Sequence, residues 1–228
     1  MERMNSLKTT NHPNTNMRGL VGRIKKLRRT RVREVVKERL REFKEFRKKK
    51  NKEWFSELCF CILTANSRAK TAISVQKELT ASGFYKYCLK DIRKAIKNNK
   101  HRFYNKKAEY IVKARKHIHI KEEIVKLVRE KEVQEAREWL VKNIKGIGYK
   151  EASHFLRNTG HFEIAILDRH ILNVMYENKV IREIPSTLSK KKYVELEKNF
   201  LQLASKLGMS PAELDLYMWY IKTGEVLK

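Results

Sequence analysis

Glycine and proline are scarce, at 8 and 3 in 228 residues, and strand signals are few. That scarcity excludes collagen-like and turn-rich β architectures. Apolar residues instead recur at three- and four-residue spacing over long stretches, which predicts an all-α protein. No hydrophobic run approaches membrane-spanning length, and no apolar signal region opens the chain. The cysteines are Cys59, Cys61 and Cys88. An odd count with two members inside the apolar run LCFCIL excludes a disulfide framework and predicts reduced core thiols in a cytoplasmic protein. Acidic residues are the last shortage. Asp and Glu number 26 against 53 Lys and Arg, a formal net charge of +27. A surface this basic selects polyanions, and nucleic acid before others.

With 41% hydrophobic residues the chain can bury a substantial core. Residues 1–30 read as a basic, disordered N-terminal tail. RVREVVKERLREFKEFRKKK (31–50) reads as a basic helix with a partial apolar stripe of Val35, Leu40, Phe43 and Phe46. WFSELCFCILT (54–64) is apolar nearly all round and predicts a buried helix, after which Ser67 is the expected cap of the next. Further helices are expected near 89–99, 105–117, 120–130, 132–143, 169–177 and 190–207. Ser210-Pro-Ala-Glu213 opens a last one, LDLYMWYIKTG. The expected organisation is a discontinuous subdomain of residues 31–53 and 165–228 and a central one of 54–164. The central one ends in a helical hairpin at about 137–158.

That hairpin carries the chemistry. In IKGIGYKEAS (144–153) two glycines flank Ile147, a poor helix and a poor strand but a good tight turn between helices. Bare backbone lets a phosphate reach the N–H groups of Gly146 and Gly148 and the start of the following helix. Lys150 stands in that helix's first turn, inside a densely cationic chain. An ammonium finds little electrostatic support there, so a neutral, nucleophilic amine is expected. Asp168 follows at the start of the next helix, where one carboxylate can both cap the helix and face positive charge developing on a sugar.

KGIGYK followed by ILDRH resembles the helix-hairpin-helix DNA glycosylases. NIKGIGYKEASHFLRNTG, LCFCILTANS, HRFYNKKAEYIVKAR and the terminal LDLYMWYIKTGEVLK are similar to the archaeal and thermophile type of 8-oxoguanine DNA glycosylase/AP lyase. The resemblance runs from about residue 31 to the end. It implies Lys150 as the nucleophile and Asp168 as its electrostatic partner, acting as a monomer on a nucleotide flipped out of duplex DNA. It further implies phosphate contacts from Gly146, Gly148, the Glu151 N–H and His170, and gap filling by Asn66. Lesion recognition would fall to Asp215, Trp219 and Lys228, the last by its ammonium or terminal carboxylate. A monovalent cation would sit on the carbonyls of Lys142, Ile144 and Ile147. The four cluster-binding cysteines of the endonuclease III and adenine glycosylase relatives have no counterpart after Cys88, so no iron–sulfur cluster is expected. Rival readings are a helix-hairpin-helix glycosylase for another lesion, such as an oxidised pyrimidine or a mismatch, and a non-catalytic DNA-binding hairpin. A pure phosphate clamp needs neither Lys150 nor Asp168.

Overall fold

The computed structural model describes residues 13–228, with side chains from residue 17 onward. The described residues form helices joined by turns, without a strand. The first of two apolar cores surrounds α3 (Asn51–Thr64), in which every residue from Trp54 to Thr64 is buried. A helix apolar on all sides is stable only when its neighbours enclose it. Here α4 (Ala69–Lys86), α6 (Tyr104–Ala114), α7 (Ile120–Glu130) and α9 (Tyr149–Asn158) do so. The remaining helices of this core are α5 (Leu89–Asn98) and α8 (Val133–Asn143).

The second core takes both ends of the described chain. Leu20 and Ile24 of α1 (Pro13–Leu27) and Val36 and Phe43 of α2 (Val32–Phe46) cluster with residues of α10 (Arg169–Glu177), α11 (Lys190–Leu207) and α12 (Pro211–Thr223). Two of these helices open on serine caps, of which the sequence pattern predicts Ser210. Ser189 and Ser210 accept the N–H groups of Lys192 and Glu213, and Gly208 in the left-handed region ends α11. No described helix is long and apolar enough to cross a membrane.

Three expectations need correction. Residues 1–12 of the predicted tail lie outside the described residues, but Pro13–Leu27 is helical and buries Leu20 and Ile24 completely. Two apolar residues four apart suffice when a ready-made core receives them. In α2 the stripe is shifted: Val36 is buried and Val35 is exposed. Ser67 does not cap α4. Arg68 takes the cap position with no side-chain bond, and α4 is interrupted at Thr80, whose φ is 56°.

A polar joint connects the two cores. Arg137 on α8 donates from both terminal nitrogens to Glu197 on α11, at 2.7 and 2.8 Å. Glu197 Oε1 also accepts the N–H of Ala165, and Ser153 of α9 accepts from both Arg137 and the Tyr193 hydroxyl. The joint therefore ties α11 to both helices of the hairpin.

Candidate active site

The hairpin turn runs from Ile144 to Gly148, between α8 and α9. Ile144 and Ile147 are buried in the first core and anchor it. Gly146 has a φ of +90°, and a Cβ there would lie 2.3 Å from the Tyr110 ring. The residue is thus glycine for two reasons, a left-handed backbone and a ring lying against it. Gly148 has ordinary angles. Its bare side holds the Glu151 carboxylate, which accepts the Gly148 N–H at 3.2 Å in the manner of a capping box.

Lys150, in the first turn of α9, faces a cavity also lined by Asp168, Asp215, Trp219 and Lys228. Four of the resemblance-implied positions therefore meet the hairpin lysine, and they come from three separate elements. Asp168 caps α10, its Oδ1 accepting the Ile171 N–H at 2.8 Å. Burial raises its pKa, against the opposing pull of the Ile171 N–H, Lys150 and His170. The carboxylate bonded to Lys150 is a different one. Nζ lies 3.0 Å from Glu151 Oε1, and no ion pair to Asp168 is formed. The expected lack of electrostatic support at Lys150 is thus corrected: the next residue supplies a counter-charge.

Asp215 is buried and lines the cavity. Its Oδ2 takes a 2.6 Å bond from Arg157 Nη1. Burial pushes its pKa up to about 7, with Asp168 adding to the rise and Arg157 opposing it. Trp219 is half-buried, its ring edge-on to the exposed His170 at 4.9 Å, and its indole nitrogen has no partner. The Lys228 ammonium is engaged as well. It donates to Glu57 and Gln76 at 2.7 and 2.6 Å and stands 4.1 Å from the centre of the Phe60 ring. Asn66 is not itself in the cavity lining but sits between Thr64 and Ser67, which are. It is exposed in the turn after α3, with a φ of 57°.

Sequence reasoning missed three cavity residues or supports. His154 and Arg157 share a face with Lys150, as residues four and seven further along one helix must. That spacing was the available signal. His154 is buried, with Nε2 unpartnered and its pKa well below the usual value, chiefly through burial. Glu57 gave no signal, being one acid in an apolar run, yet it receives Lys228, Gln76 and Asn158.

No cluster of His, Cys, Asp or Glu suited to a metal ion occurs among the described residues. The hairpin carbonyls are a different donor set. Ile144 O accepts the Ile147 N–H at a long 3.4 Å, and among the described residues no hydrogen bond reaches the carbonyls of Lys142 or Ile147.

An all-helical fold, a glycine hairpin, a lysine in the following turn and an aspartate capping the next helix across a shared cavity define the helix-hairpin-helix DNA glycosylases. Within that class, residues 36–209 match the family model described as 8-oxoguanine DNA glycosylase. The chain is 49% identical over 209 residues to the 8-oxoguanine DNA glycosylase/AP lyase of Methanocaldococcus jannaschii, covering 92% of this chain and 99% of that one. It is 41% identical to the corresponding protein of Korarchaeum cryptofilum, covering 92% and 98%. A crystal structure of the M. jannaschii glycosylase/lyase with a 15mer DNA containing 8-oxoguanine superposes with a TM-score of 0.88 at 48% identity, covering 92% of this chain and all of that one. The 8-oxoguanine DNA glycosylase of Thermotoga maritima gives 0.85 at 40%, covering 93% of this chain and all of that one. The chain belongs to the 8-oxoguanine DNA glycosylase family.

Proposed function

We propose that the protein excises 8-oxoguanine from double-stranded DNA and nicks the resulting abasic site. The observation that carries this reading is the meeting of Lys150 and Asp168 in one cavity with Trp219 and Lys228, beside the glycine hairpin. The Lys150 amine attacks C1′ of the flipped nucleotide, and the bond from C1′ to the base breaks. Positive charge developing on the sugar faces the Asp168 carboxylate. The sugar ring then opens: the C1′–O4′ bond breaks, O4′ takes up a proton, and a Schiff base is left between Nζ and C1′. Loss of a C2′ proton then expels the 3′ phosphate by β-elimination. The rest of the implied set follows on this reading. Gly146, Gly148 and the Glu151 N–H hold a phosphate with His170, and Asn66 fills the vacated stack. The carbonyls of Lys142, Ile144 and Ile147, two of them without a partner, fit a monovalent cation that would fix the turn against that phosphate. Trp219 offers its ring face to the base. The protein works as a monomer inside the cell, and needs no iron–sulfur cluster.

The test is strand cleavage on duplexes that each carry one lesion. 8-Oxoguanine is expected to be excised fastest. Faster excision of an oxidised pyrimidine or a mismatched base would transfer the assignment to the rival glycosylase reading, and cleavage of none would leave a binding module.

Lys228 gives a sharper prediction. Lys228 lines the cavity, and its ammonium is held by Glu57 and Gln76 over the Phe60 ring. A chain ending at Leu227 is expected to lose about ten- to a hundredfold in discrimination of 8-oxoguanine from guanine. Nicking of a pre-formed abasic site, which presents no base, changes far less. Excision and nicking rates measured side by side for both chains decide it, and an unchanged discrimination ratio removes Lys228 from recognition.

A further inference from the structure

Glu151 does two things at once. Oε2 accepts the N–H of Gly148 at 3.2 Å, and Oε1 holds Lys150 Nζ at 3.0 Å. Its side chain is 12% exposed and that of Lys150 26%, so the pair is shielded and not a solvated surface contact. The carboxylate lies against the bare side of Gly148, where a Cβ would stand 3.3 Å from Oε2. An anion thus already fills the place that the hairpin offers to a DNA phosphate. It is the protein's own.

From this geometry we infer that Glu151 is a positioning residue that couples phosphate binding to release of the nucleophile. In the free protein its carboxylate occupies the hairpin N–H and parks Lys150 against the helix end. A DNA phosphate at the hairpin requires the same N–H and repels the same charge, so the carboxylate swings away and Lys150, already in the cavity wall, loses its ion partner and is freed to turn toward Asp168. One N–H cannot serve both anions at full strength, and two negative charges at one helix terminus oppose each other. The inference rests on the reading of Lys150 as the nucleophile and of the hairpin as a phosphate site. It adds that the two are linked through one side chain. The cost appears as affinity, since part of the binding free energy goes into displacing the carboxylate.

The variant that separates this from a plain capping role is Glu151→Gln. Glutamine also completes a capping box, so it keeps the bond to Gly148 while losing the charge. Binding is measured on a duplex with a non-cleavable tetrahydrofuran abasic analogue, and half-saturation is measured for borohydride trapping on true abasic DNA. Glu151→Gln is expected to bind the analogue about tenfold more tightly than the parent, with half-saturation falling in parallel. The control is Glu135→Gln, which makes the same charge change on the exposed side of α8, about 12 Å further along the hairpin. It should tighten binding much less. A residue with a structural role alone gives weaker binding or none of this gain when altered, so tightening is the diagnostic sign. Unchanged or weaker binding by Glu151→Gln, or equal tightening by Glu135→Gln, overturns the coupling. Failure of the parent protein to trap on abasic DNA would instead sink the nucleophile reading on which the coupling rests.

Discussion

Lys150→Gln is expected to lower base excision by on the order of 10⁴-fold or more, the scale on which removal of a nucleophile falls. It should also abolish borohydride trapping on damaged DNA. The fold has little reason to change. Lys150 is in the first turn of α9, part-exposed, and its one ion pair is with the adjacent Glu151. Its loss leaves the Glu151 carboxylate with the Gly148 N–H as partner, so the substitution strands no unbonded charge. DNA binding should persist because the hairpin offers backbone N–H groups, which the substitution leaves in place. Three measurements on one variant therefore separate chemistry from scaffolding: thermal melting, affinity for an abasic-analogue duplex, and trapping. Trapping that survives in Lys150→Gln would show that another amine reacts. One lysine elsewhere has a lowered pKa, although it does not line the cavity. Lys107 is buried with Nζ on the Ile62 carbonyl, close enough to sense the charges of Lys150 and Glu151, and burial draws its pKa down to about 8. Loss of trapping in Lys150→Gln and its retention in Lys107→Gln would close that route.

The parts of this site that were legible in the sequence share a property: their signals are local. The GIG turn, the lysine after it and the aspartate before a helix can each be read within a few residues. The burial of α3 was legible because its apolar run has no polar face. What escaped depends on distant pairing. Asn158 reaches Glu57 across 101 positions, Arg157 reaches Asp215 across 58, and Arg137 reaches Glu197 across 60. In sequence, Glu57, Arg137, Arg157 and Glu197 look like members of a solvated surface in a highly charged chain, and Asp215 shows nothing of its buried partner. α1 escaped for a related reason. Leu20, Val21, Ile24 and Leu27 lie in a short stretch crowded with basic residues, and the core of α10, α11 and α12 is what receives them. Glu151 was visible as a helix-start acid, but its grip on Lys150 depends on side-chain directions that spacing alone does not fix.

The joint between the cores leads to the largest expected change in stability. Arg137 and Glu197 are 2% and 6% exposed, and the carboxylate also receives the Ala165 N–H. Glu197→Ala leaves a guanidinium buried without a counter-charge, which costs about 3–5 kcal/mol. At about 2–4 °C per kcal/mol for a chain of this size, the melting temperature should fall by roughly 6–20 °C. That loss overstates the value of the pair, since much of it is the stranded charge. Replacing both partners by apolar residues, Arg137→Met with Glu197→Leu, should therefore recover most of it. Recovery should stop about 1–3 kcal/mol short, because the Ala165 N–H still lacks its acceptor. A double variant as unstable as Glu197→Ala would mean that the fork itself, and not relief of an unpaired charge, holds α8 to α11. The position of the joint makes the activity of the double variant informative as well. Ser153 binds both Arg137 and Tyr193 and lies three residues beyond Lys150 on α9. If an apolar joint keeps the cores docked but leaves Ser153 without Arg137, stability returns while Ser153 of α9 loses one of its two polar partners. Excision by the stable double variant should then fall further than its melting temperature suggests. Full activity in that variant would show that packing and the remaining ties, Arg157 to Asp215 and Asn158 to Glu57, suffice to aim α9 at the cavity.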